Sequence, residues 1–253
     1  MQAVQDCHLH ENLLLFPPLS RHPLFHGAFT REGGVSAAPW ASLNVAFNVG
    51  DTNTHVKTNR KIIKNSLAAD VLVSAKQVHG DKVYIIDRQP PEDFEVEGFD
   101  ALITDLPGLG LMVQHADCQA VLVYDPKQRA IGIIHSGWRG SVANIIGTTI
   151  TAMIDTYGVK PIDLLVAIGP SLGPCCAEFI NFQKELPSSF IQYQVKPNYF
   201  DFWAISRHQI QQTGVLKEHI FSAGICTACN PLFFSYRRDK ITGRCASVIG
   251  MNT

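Results

Sequence analysis

Short, nearly unbroken apolar runs alternate with glycine-rich or polar turns along this chain. In the clearest case, Ala130-Ile-Gly-Ile-Ile-His-Ser-Gly-Trp-Arg-Gly140, an apolar run delivers a histidine, a tryptophan and an arginine into a glycine-rich turn. Ile131, Ile133 and Ile134 predict a buried strand, Gly137 and Gly140 permit a tight turn, and residues 141–157 continue as a helix. Ligands of such strand–turn–helix units lie beyond the strand's C-terminal end, where His135, Trp138 and Arg139 stand. Further strands are expected over 71–73, 82–87, 109–114, 120–124, 163–169, 220–225 and 245–249. A helix follows Asp51, capped by Thr52, Asn53 or Thr54. Its apolar face is Val56, Ile63 and Leu67, with Lys57, Arg60, Lys61 and Lys64 as a solvated face. Residues 202–213 predict a second helix with a weak apolar face. The acidic, proline-containing stretch 89–98 reads as a surface loop, and 170–176 as an irregular turn. With no linker, repeat or low-complexity segment, residues 1–253 are expected to form a single domain of mixed α/β (α+β) class, with central mixed sheets flanked by helices.

Composition narrows the function classes. The 253 residues carry a formal net charge of -1, so no basic surplus points to nucleic acid and no basic run to a membrane surface. A small neutral or anionic ligand fits better. No apolar stretch approaches the roughly 18 residues that span a bilayer, and no signal-peptide pattern precedes the first elements. The expected location is cytoplasmic. The seven cysteines are an odd number without the spacing of a secreted scaffold, and are read as reduced thiols.

Three loop-borne groups carry candidate chemistry: His79, Cys118 and His135, each in a connection or near the end of an expected strand. Two imidazoles and a thiolate are ligands that zinc accepts, and three protein ligands with one open position is the arrangement of a catalytic zinc site. Copper competes for the same donors. Cys118 with His135 equally fits a thiolate/imidazole nucleophilic pair, with Asp117 or Asp125 as orienter. The bland reading makes the cysteine a small buried hydrophobe and the histidines satisfied core or loop residues. His115 precedes Cys118 by three residues, so on one strand the two would face opposite sides. Cys7-His-Leu-His10 is a weak ligand pair near the terminus. Cys226 and Cys229 form a C-x-x-C with no second pair at ribbon spacing, Cys175 and Cys176 being consecutive in sequence; the pair reads as two packed thiols near a turn, with a redox or structural-metal role as the alternative. Arg31 sits by a double-glycine turn, and Arg237, Arg238 and Arg244 form either an anion pocket or a charged surface turn.

Taken in order, the motifs Phe29-Thr-Arg-Glu-Gly-Gly-Val-Ser36, Gln77-Val-His-Gly80, Asp100-Ala-Leu-Ile-Thr104, Ala116-Asp-Cys118, His135-Ser-Gly-Trp-Arg-Gly140 and Phe234-Ser-Tyr-Arg-Arg-Asp239 run along nearly the whole chain. In these the sequence resembles the laccase-domain family, first described as multicopper polyphenol oxidases and later as zinc-dependent purine nucleoside phosphorylases. The resemblance implies zinc held by His79, Cys118 and His135. It further implies a cytosolic enzyme that cleaves adenosine, inosine and methylthioadenosine with phosphate and deaminates adenosine to inosine. It implies too a fold shared with deamidating bacterial toxins that use a Cys/His pair. Ala177 ahead of Glu178 is a local departure, since the family often carries an aromatic there. Phosphorolysis needs cations around the phosphate, for which Arg31 and Arg139, then Lys76 and Arg238, are the candidates. Trp138 either stacks on the base or covers the core below the turn. Rival readings are a Cys118/His135 thiol hydrolase, a copper-dependent phenol oxidase, and a metal-binding regulatory module without turnover.

Overall fold

Two stacked sheets organise the chain in a computed structural model, which describes residues 6–253. The first contains β1 (His8–His10), β2 (Leu13–Leu15), β3 (Leu24–Phe29), β4 (Val71–Lys76), β6 (Phe94–Glu97), β8 (Leu109–His115) and β15 (Cys245–Met251), in the order β1-β2-β3-β15-β8-β4-β6. The second contains β5 (Val83–Ile85), β7 (Ala101–Thr104), β9 (Gln119–Asp125), β10 (Ala130–Ser136), β11 (Leu165–Ile168) and β14 (Ile220–Ser222), in the order β14-β11-β9-β10-β7-β5. A small ribbon of β12 (Gln194–Lys196) and β13 (Tyr199–Phe200) stands apart. Both large sheets mix parallel and antiparallel pairs, giving the mixed α+β class that the sequence leads one to expect.

The unbroken apolar runs follow from burial on both faces of each sheet. Alternate residues of β8 (Leu109, Leu111, Val113) meet alternate residues of β9 and β10 (Leu122, Tyr124, Ile131, Ile133) between the sheets. Their neighbours point the other way. Val121, Val123 and Ile134 pack under α4 (Ile145–Tyr157) and Ile210 of α6 (Phe202–Gln212). Met112, Ala246 and Val248 pack under Ile63 of α2 (Asn53–Ser66). Shorter helices are α1 (Pro17–Ser20), α3 (Trp138–Val142), α5 (Phe182–Glu185) and α7 (Tyr236–Asp239).

Local differences from the sequence expectations have physical causes. Thr52 caps α2 through its side chain, as anticipated, but Asn59 is buried on the apolar face. Its amide donates to Ser36, Ser42 and Asn44 and accepts from the Val35 N–H, fixing the loop ahead of the helix. Arg60 does not face solvent: it donates to the Val45 carbonyl and to Ser74, and pairs with Glu95. That Glu95 belongs to β6, a strand inside the stretch read as an acidic loop, which pairs in parallel with β4 at the sheet edge. The helix expected over 141–157 is divided into α3 and α4, because Asn144 adopts φ +57° and its side chain caps the second helix at the Gly147 N–H.

Candidate metal centre

Strand register builds the centre. The β9/β10 pairing sets Ser136 opposite Gln119 and His135 opposite Ala120, so Cys118, one residue before β9, arrives beside His135. The β7/β10 pairing sets Ile134 opposite Ala101, so Asp100 arrives there too, and the His135 N–H donates to the Asp100 carbonyl at 2.7 Å. Asp117, at φ +88°, turns the backbone between β8 and β9. The turn separates the two side chains: Cys118 points into the centre, whereas the His115 ring pairs with Ser247 at 2.8 Å. The third member comes from the β4–β5 connection, where His79 at φ +61° is pinned by its own N–H donating to Asp100 Oδ1 at 2.9 Å.

One ligand atom each from His79, Cys118 and His135 lies within 4.8 Å of the others. The two imidazole rings meet edge to face at 4.9 Å between centroids. Gly137 closes the group from another side: a Cβ there would stand 2.9 Å from His79 Cδ2 and 3.0 Å from Cys118 Sγ. His79 is exposed, Cys118 half-buried and His135 buried, so one side of the group is open. That geometry suits three protein ligands with access for a fourth.

Asp100, absent from the sequence-derived candidates, organises the group. Its buried carboxylate accepts from the backbone of Val78 (3.2 Å), His79 (2.9 Å) and Gly80 (2.8 Å), and from His135 Nδ1 (2.9 Å). Burial pushes this carboxyl up, yet the His135 ring and the backbone N–H groups hold it below the ordinary carboxylate range. Burial likewise pushes the Cys118 thiol up, but His135 and His79 outweigh it and bring the thiol down to about 6. Burial pushes His135 down, and Cys118 and Asp100 together raise it to about 9. The thiolate therefore prevails at neutral pH, and it is the form in which cysteine ligates a metal. With its Nδ1 on Asp100, His135 has Nε2 left for the centre. This donor set fits zinc.

The centre opens on a cavity of about 940 Å³. Lys76 and Arg139, both expected near an anion, line it, as do Arg237 and Arg244. Lys76 also pairs with exposed Glu97 at 2.9 Å. The guanidinium of Arg31 lies elsewhere, donating to the Ala41 carbonyl at 2.7 Å and stacking on Phe234. Arg238 lies outside the lining as well: it clamps the carbonyls of Thr227 and Phe233 and pairs with Asp239. Asp117, considered as an orienter, accepts from Thr227, Ser235 and the Arg237 N–H, while Asp125 holds the turn at Lys127 and Gln128; the carboxylate on His135 is that of Asp100. Trp138 packs edge to face on Phe179 at 6.3 Å, and it also lines the cavity beside the Arg139 guanidinium. Ala177, the departure from the family pattern, is buried in the cluster around Phe200 and Phe202. Cys7, His8 and His10 form no ligand group among the described residues, whereas Cys175, Cys176, Cys226 and Cys229 do. No helix among the described residues is long and apolar enough to cross a membrane.

Residues 25–252 match the family described as Multi-copper polyphenol oxidoreductase laccase. The curated relative Purine nucleoside phosphorylase YlmD of Geobacillus stearothermophilus is 36% identical over 243 residues, covering 88% of this chain and 89% of its own. Purine nucleoside phosphorylase YfiH of Escherichia coli is 35% identical, covering 87% and 90%. The crystal structure of YlmD from Geobacillus stearothermophilus superposes with a TM-score of 0.89 at 31% identity, over 99% of this chain and 100% of that one. On a match that spans most of its length, the chain belongs to the multi-copper polyphenol oxidoreductase laccase family.

Proposed function

We propose that this protein is a zinc-dependent purine nucleoside phosphorylase, cleaving adenosine, inosine and methylthioadenosine with phosphate to the free base and the (methylthio)ribose 1-phosphate. The observation that carries the reading is the convergence of His79, Cys118 and His135 beside a cavity that also presents cations, in a chain whose relatives bear that enzyme's name. When bound, zinc supplies Lewis acidity, which polarises a substrate oxygen and acidifies water. Asp100 keeps His135 in the ligating tautomer and, through the backbone of residues 78–80, holds His79 in place.

Phosphorolysis joins a phosphate oxygen to the ribose C1′ as the bond from C1′ to the base breaks, and positive charge develops on the sugar. Holding a polyanion beside that carbon needs cationic donors. Arg139, Arg237, Arg244 and Lys76 are cations of the cavity, and the phosphate is assigned to them rather than to Arg31 or Arg238. Burial lowers the Arg244 pKa, but Cys118 and Asp117 support its charge. Trp138, Phe179 and Phe202 offer aromatic surface for the purine. Adenosine deamination to inosine is proposed as a second activity of the same centre.

One observation favours a second reading. Asp100, His135 and Cys118 form a chain of orienter, imidazole and lowered-pKa thiol, the arrangement of a cysteine hydrolase. Chromatography of the products separates the two. The phosphorylase yields base only when phosphate is present and stops on chelation. A thiol hydrolase yields product without phosphate, ignores chelator and dies on alkylation.

A further inference from the structure

Outside the centre, four thiols from two loops face one another. Cys175 and Cys176 lie between β11 and α5, and Cys226 and Cys229 lie in the loop after β14. One sulfur from each falls within 4.8 Å of all the others, and Cys229 stands 3.4 Å from Cys176 and 3.7 Å from Cys175. None is in a disulfide. We propose that these four cysteines are a structural tetrathiolate site for a zinc ion, separate from the His79/Cys118/His135 centre.

Three features carry this. Zinc–sulfur bonds of about 2.3 Å in a tetrahedron set the sulfurs about 3.8 Å apart, close to the 3.4 and 3.7 Å that separate Cys229 from Cys176 and Cys175. Free cysteine ordinarily behaves as a buried hydrophobe, yet Cys175 and Cys229 are exposed and Cys176 only half-buried, so apolar burial gives no reason for these three to gather around Cys226. The backbone is also arranged for a charged sulfur: the Gly173 N–H donates to Cys226 Sγ at 3.3 Å. Only glycine allows that approach, since a Cβ at residue 173 would stand 2.9 Å from both Cys226 Cβ and the Trp203 ring.

Binding displaces the thiol protons to solvent and ties the two loops together where backbone bonds already join them, between Ser171 and both Ile225 and Thr227. The first loop carries Leu172 and Phe179 to the cavity wall. The second is anchored by Thr227 to Asp117, next to Cys118. The ion would thus brace two walls of the cavity without touching a substrate.

The test uses the full chain, purified with zinc present and no chelator. Elemental analysis should find one zinc remaining in Cys118→Ser protein, and that zinc should be lost when Cys175→Ser and Cys229→Ser are added. In parallel, mass spectrometry of wild-type protein treated with an alkylating reagent should show Cys175, Cys176, Cys226 and Cys229 protected together, and all four modified once a chelator is added. The second measurement needs no folded variant. Immediate alkylation of exposed Cys175 and Cys229 in zinc-loaded protein would overturn the proposal. So would disulfides among the four, iron in place of zinc, or an unchanged metal content in the serine variants.

Discussion

Replacing Asp100 by asparagine tests how the centre is held. The substitution keeps the side chain's shape and removes its charge. Four donors converge on the carboxylate: three backbone N–H groups from residues 78–80 and His135 Nδ1. Asparagine offers one carbonyl oxygen with two lone pairs and turns an NH2 toward the remaining donors. Two buried donors then lose their acceptor. At about 1–3 kcal/mol each, the loss is about 4 kcal/mol of folding stability. Because Asp100 also orients His135 and pins His79, zinc affinity should fall about 10–100-fold, equivalent to about 1.4–2.7 kcal/mol. Competition against a chromogenic chelator measures the affinity, in a Cys175→Ser, Cys229→Ser background so that only the His79/Cys118/His135 centre reports. Urea denaturation of the metal-free protein measures the stability. If Asp100→Asn bound zinc as the parent does and unfolded at the same urea concentration, the positioning role would be wrong.

Gly137→Ala places a methyl against His79 and Cys118, and should weaken zinc binding about tenfold in the same competition assay while leaving far-ultraviolet circular dichroism unchanged. Arg139→Ala should raise the phosphate KM about 10–100-fold, the value of one charge-assisted hydrogen bond, with a smaller effect on the nucleoside KM; an unchanged phosphate KM would remove Arg139 from that role. His26 is buried with its Nε2 on the Phe16 backbone, and burial lowers its pKa from 6.5 to about 4. Its unfolded form therefore binds more protons between those values, so stability falls as pH drops from about 6.5 to 4, by up to about 3 kcal/mol in total. Urea denaturation at steps across that range should show the decline, and His26→Gln should make it shallower by that amount; buried His115, lowered to about 3, keeps a decline of the same sign.

The sequence exposes what depends on local pattern. The β10 strand, the Thr52 cap and the two strands around His115 to Gln119 are legible because their apolar runs or capping residues lie within a few positions of one another. The motif resemblance names His79, Cys118 and His135, which the fold brings together. Asp100 enters only as the first residue of the Asp100-Ala-Leu-Ile-Thr104 motif and carries no role there, because only the β7/β10 register sets it beside His135. β6 is hidden by its glutamates: Glu95 is matched by Arg60, 35 positions away in sequence. The thiol cluster is equally nonlocal, since Cys176 and Cys229 are 53 positions apart and no spacing rule connects them. Arg31 and Arg238 look available for phosphate in sequence, but backbone carbonyls away from the cavity lining take their donors.

The most direct test of the central claim is the initial rate of phosphate-dependent adenine release from adenosine, measured on chelated protein as zinc is added back. The rate should be near zero without zinc, rise as the His79/Cys118/His135 centre fills, and stay near zero throughout for Cys118→Ala. Full activity in the chelated protein, or adenine release that does not depend on phosphate, would contradict the account.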